Sequence, residues 1–158
     1  MVNIMDSIAG VVVKKLIKHS DERGYFMEIL RDDDEMFSKF GQSAVSLTKP
    51  GVIKAFHWHK KQDDFFFVAS GEAMVVLYDR RDGSQTNGKT QVILAGESDH
   101  VLVFIPRGVA HGYKVLGKKP VLMLYHMSEH YDPKNTDEQR IDHDDKGIGF
   151  DWKSVMTS

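Results

Sequence analysis

Residues 51–71 read GVIKAFHWHKKQDDFFFVASG, an apolar, β-branched and aromatic run with a glycine at each end and His57, His59, Asp63 and Asp64 inside it. In a β-strand, residues i and i+2 share a face. His57 and His59 therefore point one way and Trp58 the other. If this strand walls a small barrel with His57 inward, both imidazoles enter the interior. Phe65, Phe66 and Phe67 alternate in the next strand, and the outward phenyl groups are expected to pack on a second sheet or on a partner subunit.

The same texture continues on both sides. Short β-branched and aromatic runs at 11–18, 25–30, 44–47, 51–59, 64–69, 72–79, 89–94, 100–105, 110–115 and 121–126 are bounded by Gly, Pro, Asp and Asn. Turn chemistry separates them at Ser70-Gly71, Asp82-Gly83-Ser84, Asn87-Gly88 and Pro106-Arg107-Gly108. About ten short strands predict an all-β sandwich or barrel. Met36, Phe37 and Phe40, three and four apart, predict one short helix over Asp33–Gly41, with the acidic run 32–35 as its solvated start. Beyond Tyr131 the chain turns polar and irregular and reads as a tail laid over the domain. The length of 158 residues fits one domain.

Composition removes several classes of function. The 21 basic and 23 acidic side chains give a net charge of -2, with no cluster of Lys and Arg of the kind that nucleic acid or anionic membrane requires. The absence of cysteine excludes disulfides, thiol nucleophiles and Cys-ligated zinc. Any metal would be held by His, Asp or Glu. The opening residues MVNIMDSIAGVVVKK lack a basic n-region and a long apolar run, so a cytoplasmic location is expected.

Two resemblances follow from the motifs. Gly51, His57, His59, Asp64 and Gly71, followed by Pro106-x-Gly108-x-x-His111, resemble the two cupin motifs, with Asp where the first usually carries Glu. Cupins are double-stranded β-helix (jelly-roll) barrels. The resemblance implies a divalent transition metal on His57, His59, Asp64 and His111 as one possibility. A longer resemblance runs from about residue 9 to residue 152 through DERGYFMEILR, GVIKAFH, YDRRDGSQTNGK, IPRGVAHGY, LYHMSEHYDP and DDKGIGFDW. These segments are similar, in order, to those of the dTDP-4-dehydrorhamnose 3,5-epimerase family, itself built on the cupin fold.

This second resemblance implies metal-free, cofactor-free chemistry on a nucleotide-linked 4-keto-6-deoxyhexose in deoxysugar or surface polysaccharide synthesis. A base removes a proton beside the ketone, and an acid on the opposite face returns one. By resemblance His57 is the base and Tyr125 the acid. Arg23, Phe26, Glu28 and Gln42 embrace the nucleotide or sugar, some of them from the neighbouring subunit of a homodimer. Lys54 stands where the family usually has Arg, and His111 matches a histidine beside the sugar.

Three departures fall inside that site. His59 replaces a Gln, and Asp64 replaces a lysine suited to steadying the enolate. An aspartate that the family places beyond the IG-x-x-W motif has no counterpart before Ser158. Asp63 or Asp64 remains as a carboxylate to orient an imidazole. Three alternatives stay open on the residues alone: a metal-dependent cupin enzyme, a 3,4-ketoisomerase suggested by HWHKK, and a sugar-nucleotide-binding cupin without catalysis. His19, His100, His126, His130 and His143 are assigned to surface or packing.

Overall fold

The computed structural model describes residues 7–154. Residues 1–6, where the leader reading begins, and 155–158 are outside the described residues. Among the described residues twelve strands form in chain order: β1 (Val12–Lys15), β2 (His19–Asp21), β3 (Gly24–Phe26), β4 (Gln42–Thr48), β5 (Ile53–His59), β6 (Asp64–Ser70), β7 (Glu72–Asp79), β8 (Thr90–Gly96), β9 (Val101–Ile105), β10 (Val109–Leu116), β11 (Val121–Met127) and β12 (Glu138–Arg140). Two antiparallel five-stranded sheets, ordered β1-β9-β6-β11-β4 and β12-β5-β10-β7-β8, make the jelly roll, and β2-β3 is a separate hairpin.

Strand alternation sorts the apolar residues into three layers. Phe66, Val75, Leu77, Ile93, Val103, Val121 and Met123 lie in the core between the sheets. Phe56, Met74, Val76 and Ala110 project from the opposite face of the second sheet, where Ile141, Ile148, Phe150 and Trp152 cover them. Phe65, Phe67 and Leu102 project from the far face of the first sheet. Their cover is not a second sheet or a partner but the chain's own segment with Met27, Ile29, Leu30 and Met36.

The expected helix over Asp33–Gly41 does not form; the segment is a series of turns, and no helix occurs among the described residues. Its acids prefer local partners to a helical ladder. Asp34 accepts from the Arg31 backbone N–H at 2.9 Å and from Lys14 Nζ at 2.7 Å, while Arg31 clasps Asp33 at 2.7 Å. Phe40 stays 65% exposed, so the periodic apolar face is never buried as a unit. The tail differs from expectation too. Residues 138–140 form a strand that pairs with β5, Arg140 opposite His57 and Glu138 opposite His59.

Two glycines position the site. Gly108 takes φ +86°, a left-handed turn that a side chain would strain, and its N–H donates to the His59 carbonyl at 2.8 Å. A Cβ on Gly112 would collide with Ala55 on β5. This close approach lets β10 and β5 pair with His111 directly opposite His57, just before a bulge at His111/Tyr113.

Candidate active site

Both sheets contribute inward side chains at one end of the barrel. β5 supplies His57 and His59, its outward Phe56 and Trp58 joining the layer beneath the tail. β6 opens with Asp64, on the same face as Phe66, and β10 supplies His111. β11 places Tyr125 opposite Phe66 in register. A cavity of about 270 Å³ is bordered by His57, His59, Asp64, Phe66, Tyr125 and Gln42. A second, of about 470 Å³, shares His57, Tyr125 and Glu138 with the first and is also bordered by Lys54, Tyr113 and Arg140. Together they match the size of small-molecule sites.

The four motif residues converge. One ligand atom from each of His57, His59, Asp64 and His111 lies within 4.8 Å of all the others. His111 Nε2 is 2.8 Å from Asp64 Oδ2, and its Nδ1 is 2.9 Å from the Val109 carbonyl. His59 Nε2 is 3.3 Å from the same Asp64 oxygen. Gln62 Nε2 donates to the other Asp64 oxygen at 2.7 Å. The rings of His57 and His111 meet edge-on with centroids 4.1 Å apart.

Burial and neighbours set the protonation of these groups. Burial holds the His57 pKa well below the usual histidine value, and the charge of His111 lowers it further, so His57 is a neutral imidazole at neutral pH. Burial opposes charge on His59, but the bond to Asp64 and the charges of Asp64 and Asp137 outweigh it and raise its pKa. Burial would push Asp64 up, yet hydrogen bonds with His111 and His59 hold it well below the carboxylate range. Tyr125 is raised above an ordinary phenol, by burial first and then by Tyr113, despite its bond to Ser46. It is a fully protonated acid. Its hydroxyl lies 2.8 Å from Ser46 Oγ and 3.2 Å from the Tyr113 hydroxyl, which in turn meets Thr48 at 2.8 Å.

Not every predicted residue arrives here. Gln42 borders the first cavity, where its Oε1 accepts from the Tyr131 N–H. Lys54 borders the second. Arg23 and Phe26 sit on the exposed β2-β3 hairpin and border neither cavity, and Glu28 pairs with Arg31 at 3.1 Å. Of the two aspartates, Asp64 meets the imidazoles, whereas Asp63 pairs with Arg107 at 2.9 Å and accepts from its backbone N–H. His130, assigned to surface or packing, is exposed but borders the first cavity. Sequence reasoning missed Tyr113, two residues after His111 on the same strand face, a spacing that offered a signal. Phe66, Gln62, Asp137 and Arg140 carried none, because register and loop packing bring them in.

The walls of the first cavity are strongly acidic. Asp64, Glu129, Asp132, Asp137 and Glu138 border it, and among the described residues no Lys or Arg does.

A jelly-roll barrel holding a neutral imidazole and a protonated phenol on facing sheets defines the cupin class and a site equipped for proton transfer. Residues 6–158 match the family model for dTDP-4-dehydrorhamnose 3,5-epimerase. The chain is 52% identical over 147 residues to the spore coat polysaccharide biosynthesis protein SpsL of Bacillus subtilis, covering 93% of this chain and 97% of that protein. It is 36% identical over 154 residues to the probable low-salt glycan biosynthesis epimerase Agl13 of Haloferax volcanii, covering 96% and 99%. The solved dTDP sugar isomerase of Desulfovibrio desulfuricans superposes with a TM-score of 0.87 at 28% identity, covering 94% of each chain. The chain belongs to the dTDP-4-dehydrorhamnose 3,5-epimerase family.

Proposed function

We propose that this protein is an isomerase that epimerises a nucleotide-linked 4-keto-6-deoxyhexose at C3, C5 or both during polysaccharide synthesis, with His57 as base and Tyr125 as acid. The observation that carries the reading is that these two side chains, from facing sheets, border the same two cavities. Inversion needs a base on one face of a carbon and an acid on the other. Neutral His57 accepts the proton from the carbon beside the ketone, and the electron pair moves onto the ketone oxygen. Tyr125, kept protonated by its environment, then delivers a proton to the opposite face.

Family membership supports the substrate class, and the polysaccharide and glycan names of SpsL and Agl13 support the pathway. Lys54 and Arg140, beside the second cavity, supply cations for a diphosphate. A homodimer belongs to the same proposal, since Arg23 and Phe26 are exposed on their hairpin and border neither of the two cavities beside His57 and Tyr125 in their own chain. Residues 1–158 act as one domain in this reading. A cytoplasmic location goes with it, because nucleotide-activated sugars are made there; among the described residues no helix is long and apolar enough to cross a membrane.

The test is proton exchange. Incubated with dTDP-4-keto-6-deoxyglucose in D2O, the protein is expected to replace the C3 or C5 proton with deuterium, followed by NMR. His57→Asn is expected to lower that rate by about 10²- to 10⁴-fold. A folded His57→Asn protein that exchanges at the wild-type rate would remove His57 from the role of base. Binding of nucleotide sugars without any exchange would point to a non-catalytic cupin.

A further inference from the structure

We infer that His59, Asp64 and His111 hold a divalent transition-metal cation, which leaves His57 free to carry the proton. The inference starts from hydrogen-bond polarity at His111. Its Nδ1 faces the Val109 carbonyl at 2.9 Å. A carbonyl oxygen only accepts, so Nδ1 carries hydrogen. In the neutral ring Nε2 is then a bare lone pair, yet it faces a carboxylate oxygen, Asp64 Oδ2, at 2.8 Å. Two acceptors that close repel unless a positive body joins them, either a proton or a metal ion.

His59 faces the same oxygen, with the Gln62 side-chain amide nitrogen 3.3 Å from its Nε2. It is 8% exposed, and its Nε2 lies 3.3 Å from Asp64 Oδ2. Its Nδ1 is buried without a hydrogen-bond partner, 3.9 Å from Asp137 Oδ2. A carboxylate behind the second nitrogen is how proteins steer a ligating imidazole. Gln62 occupies Asp64 Oδ1 and leaves Oδ2 to the cluster. Metal bonds of about 2.0–2.2 Å place ligand atoms about 3–4 Å apart, close to the separations found. Two imidazoles and one carboxylate suit Mn, Fe, Co, Ni or Zn.

The cavity gives a second, independent reason. Five carboxylates border it and no Lys or Arg offsets them among the described residues. A site that develops negative charge on a ketone oxygen needs positive charge facing it, and the family's lysine position holds Asp64 here. A cation on His59, Asp64 and His111 supplies that charge. His57 borders both cavities and is the least buried of the four, which suits it to meet substrate rather than to serve as a ligand. This catalytic role rests on the epimerase reading; the metal site itself does not.

The test uses Co2+ alone as the first probe. Chelator-stripped protein titrated with Co2+ is expected to take up about one ion per chain and to develop a ligand-field absorption spectrum. His111→Gln and Asp64→Asn are expected to lose the spectrum, while His57→Asn keeps it; circular dichroism and thermal melting confirm that each variant folds. Stripped protein is expected to exchange keto-sugar protons at least about 10²-fold more slowly than Co2+-loaded protein. No saturable uptake in the wild type, or uptake unchanged in folded His111→Gln, overturns the site and assigns the joining charge to a proton. Loss of the ion in His57→Asn overturns the division of labour. If Co2+ binds but no keto sugar exchanges with or without it, the epimerase reading fails while the metal site stands. If stripped protein exchanges at full rate and takes up no ion, the reverse holds.

Discussion

In the proposed reaction His57 is suited to act as the base because its surroundings keep it uncharged. Burial and the neighbouring His111 hold its pKa well below the ordinary histidine value of about 6.5. Protonation silences a base, so the exchange rate is expected to stay flat through neutral pH and to fall only on the acid side of that value. A pH profile of deuterium incorporation that bends near or above pH 7 would contradict this environment for His57. Tyr125→Phe is expected to leave the first proton abstraction within about tenfold of wild type while cutting epimerised product by about 10²-fold or more. Comparing exchange with product formation separates the two steps. The four clustered residues were legible in the sequence because strand parity and motif spacing are local properties. The choice between Asp63 and Asp64 was not. Adjacent residues point to opposite faces, and which one faces inward depends on where β6 begins, fixed by the pairing of Asp64 with Ile105 and Met127 far along the chain.

At the scale of elements, the loop after β7 is held by one carboxylate. Asp79 is fully buried and accepts from Arg81 Nε at 2.8 Å and from Ser84 and Thr86 hydroxyls at 2.6 Å each. Burial alone would raise its pKa, but these bonds hold it well below the carboxylate range. A folded pKa below the unfolded one gives stability that is complete above about pH 4 and drains as pH falls toward the folded value. Asp79→Asn is therefore expected to flatten the acid limb of a melting-temperature profile taken from about pH 6 down to about pH 3. The tail offers a second measurement. Trp152, 6% exposed, packs against Phe56 and Phe150 and donates Nε1–H to the His143 carbonyl at 2.8 Å. Trp152→Ala is expected to cost about 3 kcal/mol in denaturant unfolding. The main strands were readable from their period and turns, and β7 falls over the same residues as the sequence reading. The helix was misread because apolar spacing outweighed the run of aspartates, in which Asp33 and Asp34 bond Arg31 and Lys14 instead of supporting a helical turn. β12 was missed because a three-residue edge strand has too little pattern to see; its register comes from β5.

At the scale of the whole molecule, the proposed homodimer makes a prediction that no single chain can satisfy. If Arg23 and Phe26 complete the neighbouring subunit's site, Arg23→Ala and His57→Asn chains are each inactive alone but recover up to about one quarter of wild-type activity when mixed dimers form, a statistical expectation for two-fold association. Failure to recover, in a mixture shown to contain mixed dimers, would return those residues to their own chain. The topology also dictates an order in time. β4 pairs with β11, β5 with β10 and β12, and β6 with β9, so every cavity wall depends on a partner many tens of residues downstream. A ribosome that has translated His57 and Asp64 has therefore built nothing that could bind a sugar or an ion. Only when residue 140 has left the exit tunnel can the strand bearing His57 be closed in on both edges. The growing chain must keep the apolar face of β6 out of trouble until then, and activity appears late in synthesis and abruptly, with no partial enzyme preceding it.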